Sequence, residues 1–198
     1  MLSQKLKDFK IILASQSPRR QELLKGLNID FTALSKDVDE TYPFDMPVEE
    51  IAEYLANKKG VAYGELHDEN TIVITADTVV VVDDKVLEKP ANEQEAADML
   101  SQLSGRNHHV ISGVCVKSCN RTESFSVATE VYFKKLNIQE IYHYVKEYKP
   151  YDKAGSYGIQ EWIGYIGIQK IEGSYFNVMG LPVFELNQVL MNWPLKED

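Results

Sequence analysis

Cysteine is scarce in this chain, with only Cys115 and Cys119 among 198 residues. They lie four apart in VCVKSCN with no second pair to complete a zinc site, so ordinary reduced thiols are expected rather than a disulfide or metal ligands. Long apolar runs are missing as well. None approaches the ~20 residues that span a bilayer, and the N-terminus MLSQKLKDFK lacks the apolar centre of a signal peptide. The expected location is the cytoplasm. Positive charge is in short supply: Lys and Arg total 21 against 30 Asp and Glu, for a formal net charge of −9. Binding to a nucleic-acid polymer rests on an extended basic surface that releases counterions, and this balance weighs against it. A small polyanion makes a lesser demand, because a few converging cations and a divalent metal suffice. Internal repeats, low-complexity segments and linkers are absent, as are a glycine-rich Walker run and the kinase motifs.

What is present is 44% hydrophobic content, enough for a sizeable core in one globular unit or in two lobes sharing a cleft. The informative opening is IILASQSPRRQELL, Ile11 to Leu24. Ile11, Ile12 and Leu13 suit a buried strand, Ser17 reads as a helix N-cap and Pro18 as the first helical residue, and Leu23, Leu24 and Leu27 continue a buried helical face. A strand that feeds a helix start offers unpaired N–H groups and a positive dipole end to an anion. Arg19 and Arg20 add guanidinium forks that match phosphate oxygens. A capped surface helix would use the same residues, although arginine in the first turn opposes the dipole.

Further along, Ile29 to Leu34 reads as a second strand, followed by the acidic run Asp37, Val38, Asp39, Glu40, which suits a solvated loop. A helix is expected from Pro47 to about Leu66, with Val48, Ile51, Ala52, Leu55 and Ala62 inward and Lys58 and Lys59 off that stripe. In TIVITADTVVVVDDKVLEKP, the runs Ile72–Ile74 and Val79–Val82 are strand material, and Asp83-Asp84 turns a hairpin. Asp77 lies between those runs. A carboxylate there is costly unless paired, hydrogen-bonded or bound to metal, although capping a bend would also account for it. Capping boxes at Asn92/Glu95 and Asn137/Glu140 open helices to Leu103 and about Tyr148. A strand begins at GRNHHVISGVCV, where His109 reads as structural, and Phe125 to Phe133 alternates as its antiparallel neighbour. YDKAGSYGIQ is a polar loop whose Gly155 and Gly158 let backbone approach a ligand or simply connect helix to strand. A strand, a turn at Gly173-Ser174 and a final helix from Pro182 follow, with Phe184, Leu186, Val189, Leu190 and Trp193 on its buried side.

The segment LASQSPRRQELL resembles the opening motif of the Maf family of nucleoside triphosphate pyrophosphatases, once described as septum-formation inhibitors. The ADT and KP elements match the same pattern, and at least five blocks from Ile12 to Pro182 follow in the family's order. The resemblance implies a single domain over 1–198 of α/β class: an elongated mixed sheet flanked by helices, two lobes with a cleft between them, as in Maf and ITPase-like proteins. It also implies hydrolysis of nucleoside triphosphates to monophosphate and pyrophosphate, a divalent metal cofactor (Mg²⁺ or Mn²⁺), a small-molecule nucleotide as substrate and a homodimer. By the same resemblance Asp77 orients and deprotonates the attacking water. Glu40 and Asp77 hold the metal, and Lys59 and Lys89 complete the catalytic set. Ser15, Ser17, Arg19, Arg20 and Lys153 contact substrate. Arg19, Thr78 and Gln160 occupy positions that look like the dTTP/UTP branch; the branch acting on 7-methyl-GTP tends to carry tryptophan where Arg19 stands. A glutamine amide offers one donor and one acceptor to a base edge that presents both. Arg106, His109, Ser112 and Gly113 match a further block. Ser156, Glu161 and Met179 depart from the usual pattern, and Glu161 bears most on base preference. The alternative is a nucleotide-binding regulator of division with little catalysis, and a phosphatase or kinase acting on another phosphorylated metabolite ranks below it.

Overall fold

The computed structural model describes residues 1–64 and 68–194. In chain order the elements are α1 (Leu2–Lys5), β1 (Lys10–Leu13), α2 (Pro18–Lys25), β2 (Thr32–Ala33), α3 (Val48–Val61), β3 (Thr71–Val82), β4 (Lys85–Leu87) and α4 (Glu93–Leu103). There follow β5 (Asn107–Lys117), β6 (Thr122–Phe133), α5 (Ile138–Tyr148), a short 3-10 turn (Ala154–Ser156), α6 (Trp162–Gly167), β7 (Ile168–Glu172), α7 (Tyr175–Met179) and α8 (Val183–Met191). The seven-stranded sheet runs β2-β1-β3-β5-β6-β7, with β4 paired to β3. It is mixed: β1 is parallel to β2 and β3, whereas β3–β4 and β6–β7 are antiparallel. The class is α/β.

The chain divides into two compact units, residues 1–77, 112–127 and 180–198 in the first, and 78–111 and 128–179 in the second. In the first, Leu13, Leu24, Ile51, Ile72, Ile74, Leu186 and Trp193 are almost fully buried, and in the second Leu100, Leu103, Val131, Tyr144 and Ile163 form the core. The close seat of α3 has a local cause. Ala52, Ala56 and Gly60 recur at four-residue spacing on one helix face, and Thr75 Oγ1 on β3 donates to the Ala56 carbonyl at 2.6 Å. Gly113 on β5 completes the fit, since a Cβ there would lie 2.2 Å from the Ala52 carbonyl.

The sequence divides the Thr71–Val82 run at Asp77, but it forms one strand of twelve residues, buried along nearly its whole length. The carboxylate is tolerated because it has a cationic partner, described below. Asp83 and Asp84 make the expected turn at positive φ, 49° and 58°, the geometry that closes a two-residue hairpin. The second strand contracts to Thr32–Ala33. The helix from Pro47 ends at Val61, and Leu66, its expected end, lies outside the described residues. The Asn137/Glu140 capping box forms in full, whereas Glu95 accepts from the Ala91 N–H at 2.7 Å while Asn92 alone caps α4. Phe184, expected to face inward, is 64% exposed, because the buried side of α8 is carried by Leu186 and Leu190.

Candidate active site

Parallel strands place their C-terminal ends together, which is where open α/β sheets gather functional groups. Leu13 of β1 pairs in register with Ile74 of β3 and with Ala33 of β2, and the Ala14 N–H continues the ladder to the Ile74 carbonyl at 2.8 Å. Two segments leave this end of the sheet, the loop Ser15–Ser17 and the chain leading to Glu40, beside the stretch of β3 that runs on past Ile74 to Asp77.

Ser15 is buried, and its Oγ accepts from the Ser17 N–H at 3.2 Å. Ser17 Oγ accepts from the Arg20 N–H at 3.5 Å, capping α2 as its sequence requires, with Pro18 at the first position. Arg20 turns back into the protein. Its Nη1 donates to the Ala76 carbonyl at 2.8 Å and its Nε to the Gly180 carbonyl at 2.9 Å. The guanidinium thus anchors α2 to the residue preceding Asp77. Burial pulls its pKa below the ordinary value, opposed by the Asp77 charge. Arg19, half-buried on the same turn, carries the second cation.

Lys59 rides the last turn of α3, where a cation also complements the helix dipole. Its ammonium donates to Asp77 Oδ1 and lies 2.8 Å from Glu40 Oε1. The side chains of Lys59 and Asp77 are only 16% and 12% exposed, so their pairing is charge-assisted and desolvated, and removing Lys59 would leave a buried carboxylate without its ion-pair partner. Lys58 ties the same acidic run to the helix, at 3.1 Å from Asp39 Oδ2 and 2.8 Å from the Thr41 carbonyl. Hydrogen bonds from Thr41 and Lys58 hold the Asp39 carboxyl below its ordinary range. Two adjacent lysines therefore dock a segment that sequence alone reads as a solvated loop. Asp37 is exposed, as that reading requires.

Two carboxylates converging on one ammonium can also converge on a metal ion. Among the described residues no three His, Cys, Asp or Glu side chains form a ligand cluster. The donor set fits a hard cation such as Mg²⁺, which takes one or two carboxylates and completes its shell with water and substrate phosphates.

In the second unit Thr78 follows Asp77 on β3, and Lys89 is exposed just beyond β4. Lys153 is buried, its Nζ 2.7 Å from Asp152 Oδ1 and 3.2 Å from Glu161 Oε1. Glu161 also accepts from the Tyr144 hydroxyl. Tyr144 is fully buried on α5, and the sequence marked it only as part of that helix. Gln160 holds a buried Oε1 that has no hydrogen-bond partner among the described residues. The structural histidine is His108, not His109. His108 is buried, with Nε2 2.7 Å from the Tyr157 hydroxyl, while His109 is exposed, because strand alternation turns neighbours to opposite faces.

The first unit thus brings together Ser15, Ser17, Arg20, Glu40, Lys59 and Asp77, and the second places Lys153 and Gln160 on one loop. Residues 10–193 match the family described as Maf-like protein. The chain is 52% identical over 192 residues to a dTTP/UTP pyrophosphatase of Porphyromonas gingivalis, covering 95% of this chain and 96% of that one. It is 52% identical over 182 residues to a protein of the same name from Phocaeicola vulgatus, covering 91% and 94%. A third of that name, from Flavobacterium johnsoniae, is 47% identical over 191 residues, covering 96% and 98%. With the match running through nearly all of the sequence, the chain belongs to the Maf-like protein family.

Proposed function

We propose that this chain is a nucleoside triphosphate pyrophosphatase that hydrolyses dTTP and UTP to the monophosphate and pyrophosphate. One observation carries the assignment: Asp77, buried in the middle of a central strand, is held by Lys59 beside Glu40. A nucleotide-binding regulator could use the cations but has no need of that acidic pair.

In the reaction, water adds across the α–β phosphoanhydride bond, and the bond's electron pair leaves with pyrophosphate. Asp77 accepts the proton lost by the attacking water, and Lys59 keeps its carboxylate in place. A carboxylate is a weak base at neutral pH. Positioning and charge stabilisation therefore supply most of the acceleration. Arg19, Arg20, Lys59, Lys89 and Lys153, with the Ser15–Ser17 loop, bind the triphosphate. Glu40 and Asp77 would hold Mg²⁺ or Mn²⁺, which would neutralise charge developing on the leaving group. Thr78 and Gln160 read the pyrimidine. The unpartnered Oε1 of Gln160 supports that role, because its amide has an acceptor free for a base edge that also donates. No helix among the described residues is long and apolar enough to cross a membrane. We place the protein in the cytoplasm as a homodimer.

Product analysis with Mg²⁺ or Mn²⁺ against dTTP, UTP, CTP, ATP, GTP and 7-methyl-GTP tests this. Monophosphate plus pyrophosphate from dTTP and UTP is expected. The same products from other bases would overturn the role of Gln160, and diphosphate plus phosphate would place the cut at another bond. Tight binding without turnover would favour the regulator.

A further inference from the structure

Glu161 is the N-cap residue of α6, yet its side chain makes no capping hydrogen bond. An acidic residue there would ordinarily accept from the helix's first N–H groups. Instead both carboxylate oxygens are used elsewhere. Oε1 lies 3.2 Å from Lys153 Nζ, and Oε2 accepts from the Tyr144 hydroxyl. That hydroxyl in turn accepts from the Gly158 N–H at 3.0 Å. The chain of contacts runs from backbone through phenol and carboxylate to ammonium, and it is shielded: the Lys153 side chain is 8% exposed and that of Glu161 19%. Burial pushes the Tyr144 phenol above its ordinary range, with the Glu161 hydrogen bond adding to the shift, so the phenol remains a donor.

Gly158 lets this arrangement close. A Cβ there would lie 2.9 Å from Glu161 Cδ and 3.1 Å from Gln160 Nε2. The carboxylate and the neighbouring amide both rest against the space that glycine leaves. Lys153, a proposed phosphate ligand, thus meets this fixed carboxylate as well as that of Asp152.

We infer that Glu161, anchored by Tyr144, is a positioning residue that holds the Lys153 ammonium ready for the substrate's phosphate chain. This rests on the assignment of Lys153 to that chain. The residue that departs from the usual family pattern thereby acts in substrate capture through a lysine it holds rather than by touching the base.

The test is a double-mutant cycle read by steady-state kinetics on dTTP with Mg²⁺. Glu161→Gln is expected to raise KM about tenfold and change kcat less than about twofold, the pattern of lost uniform binding. Lys153→Met raises KM at least as much, and adding Glu161→Gln to it has no further effect, because the carboxylate acts through the lysine. Tyr144→Phe keeps the carboxylate but removes its anchor, giving a smaller KM rise of the same kind; it carries the test if Glu161→Gln does not fold. Normal KM in both Glu161→Gln and Tyr144→Phe, or additive effects in the cycle, would overturn the inference while leaving Lys153 as a ligand. Normal KM in Lys153→Met would remove the assignment of Lys153, and the inference with it.

Discussion

Asp77 shows how one residue is made affordable by its neighbours. A lone carboxylate inside a twelve-residue buried strand would be ruinous, and Lys59 offsets it. Replacing Asp77 with Asn keeps shape and hydrogen bonding but removes the base. Turnover of dTTP should fall by about a thousandfold or more, the scale of losing an essential group. Nucleotide affinity measured by calorimetry without added divalent metal should stay within about threefold. Retained activity would move the base role to Glu40. His108 makes a separate prediction. Burial pulls its pKa from the ordinary 6.5 to about 3, so the fold holds the imidazole neutral while the unfolded chain protonates it. Stability should be fully present above about pH 6.5 and drain away as pH falls toward 3. In His108→Gln the fall in Tm between these limits should be shallower than in the parent chain. Residues such as Asp77 were legible because their chemistry clashes with a local apolar pattern. Tyr144 was not, because its pattern agrees with a buried helix face and its partner Glu161 lies seventeen residues away in sequence.

At the scale of elements, the seat of α3 decides where Lys59 points. Gly113→Ala would drive a methyl into the Ala52 backbone, and the helix must shift. A loss of roughly 3 kcal/mol is expected from such overpacking, measured by urea denaturation, together with reduced kcat/KM as Lys59 moves off Asp77. Asn137→Ala removes the α5 cap and should cost about 1 kcal/mol. Strong local signals made β1, α2, α4 and α5 readable: capping residues, proline at a first turn and regular apolar spacing. The short α6 and α7 gave no such signal, being too brief for a periodicity to establish itself. The contraction of β2 was hidden for another reason, since strand length depends on which backbone groups find partners and not on side-chain pattern alone.

For the molecule as a whole, a net charge of −9 disfavours the approach of a polyanion unless positive charge is concentrated locally. Chelation with EDTA should therefore stop turnover, and added Mg²⁺ or Mn²⁺ should restore it. Lys59 gives that dependence a second side. Because its ammonium already contacts both Glu40 and Asp77, one of the pair's two negative charges is balanced from within, and folding is expected to need no bound ion. The Tm should move by less than about 2 °C on chelation in the absence of nucleotide, within the small shift expected of a weakly occupied site. A cell short of divalent cations would then idle this protein without exposing it to aggregation or proteolysis, and work could resume on resupply without new synthesis.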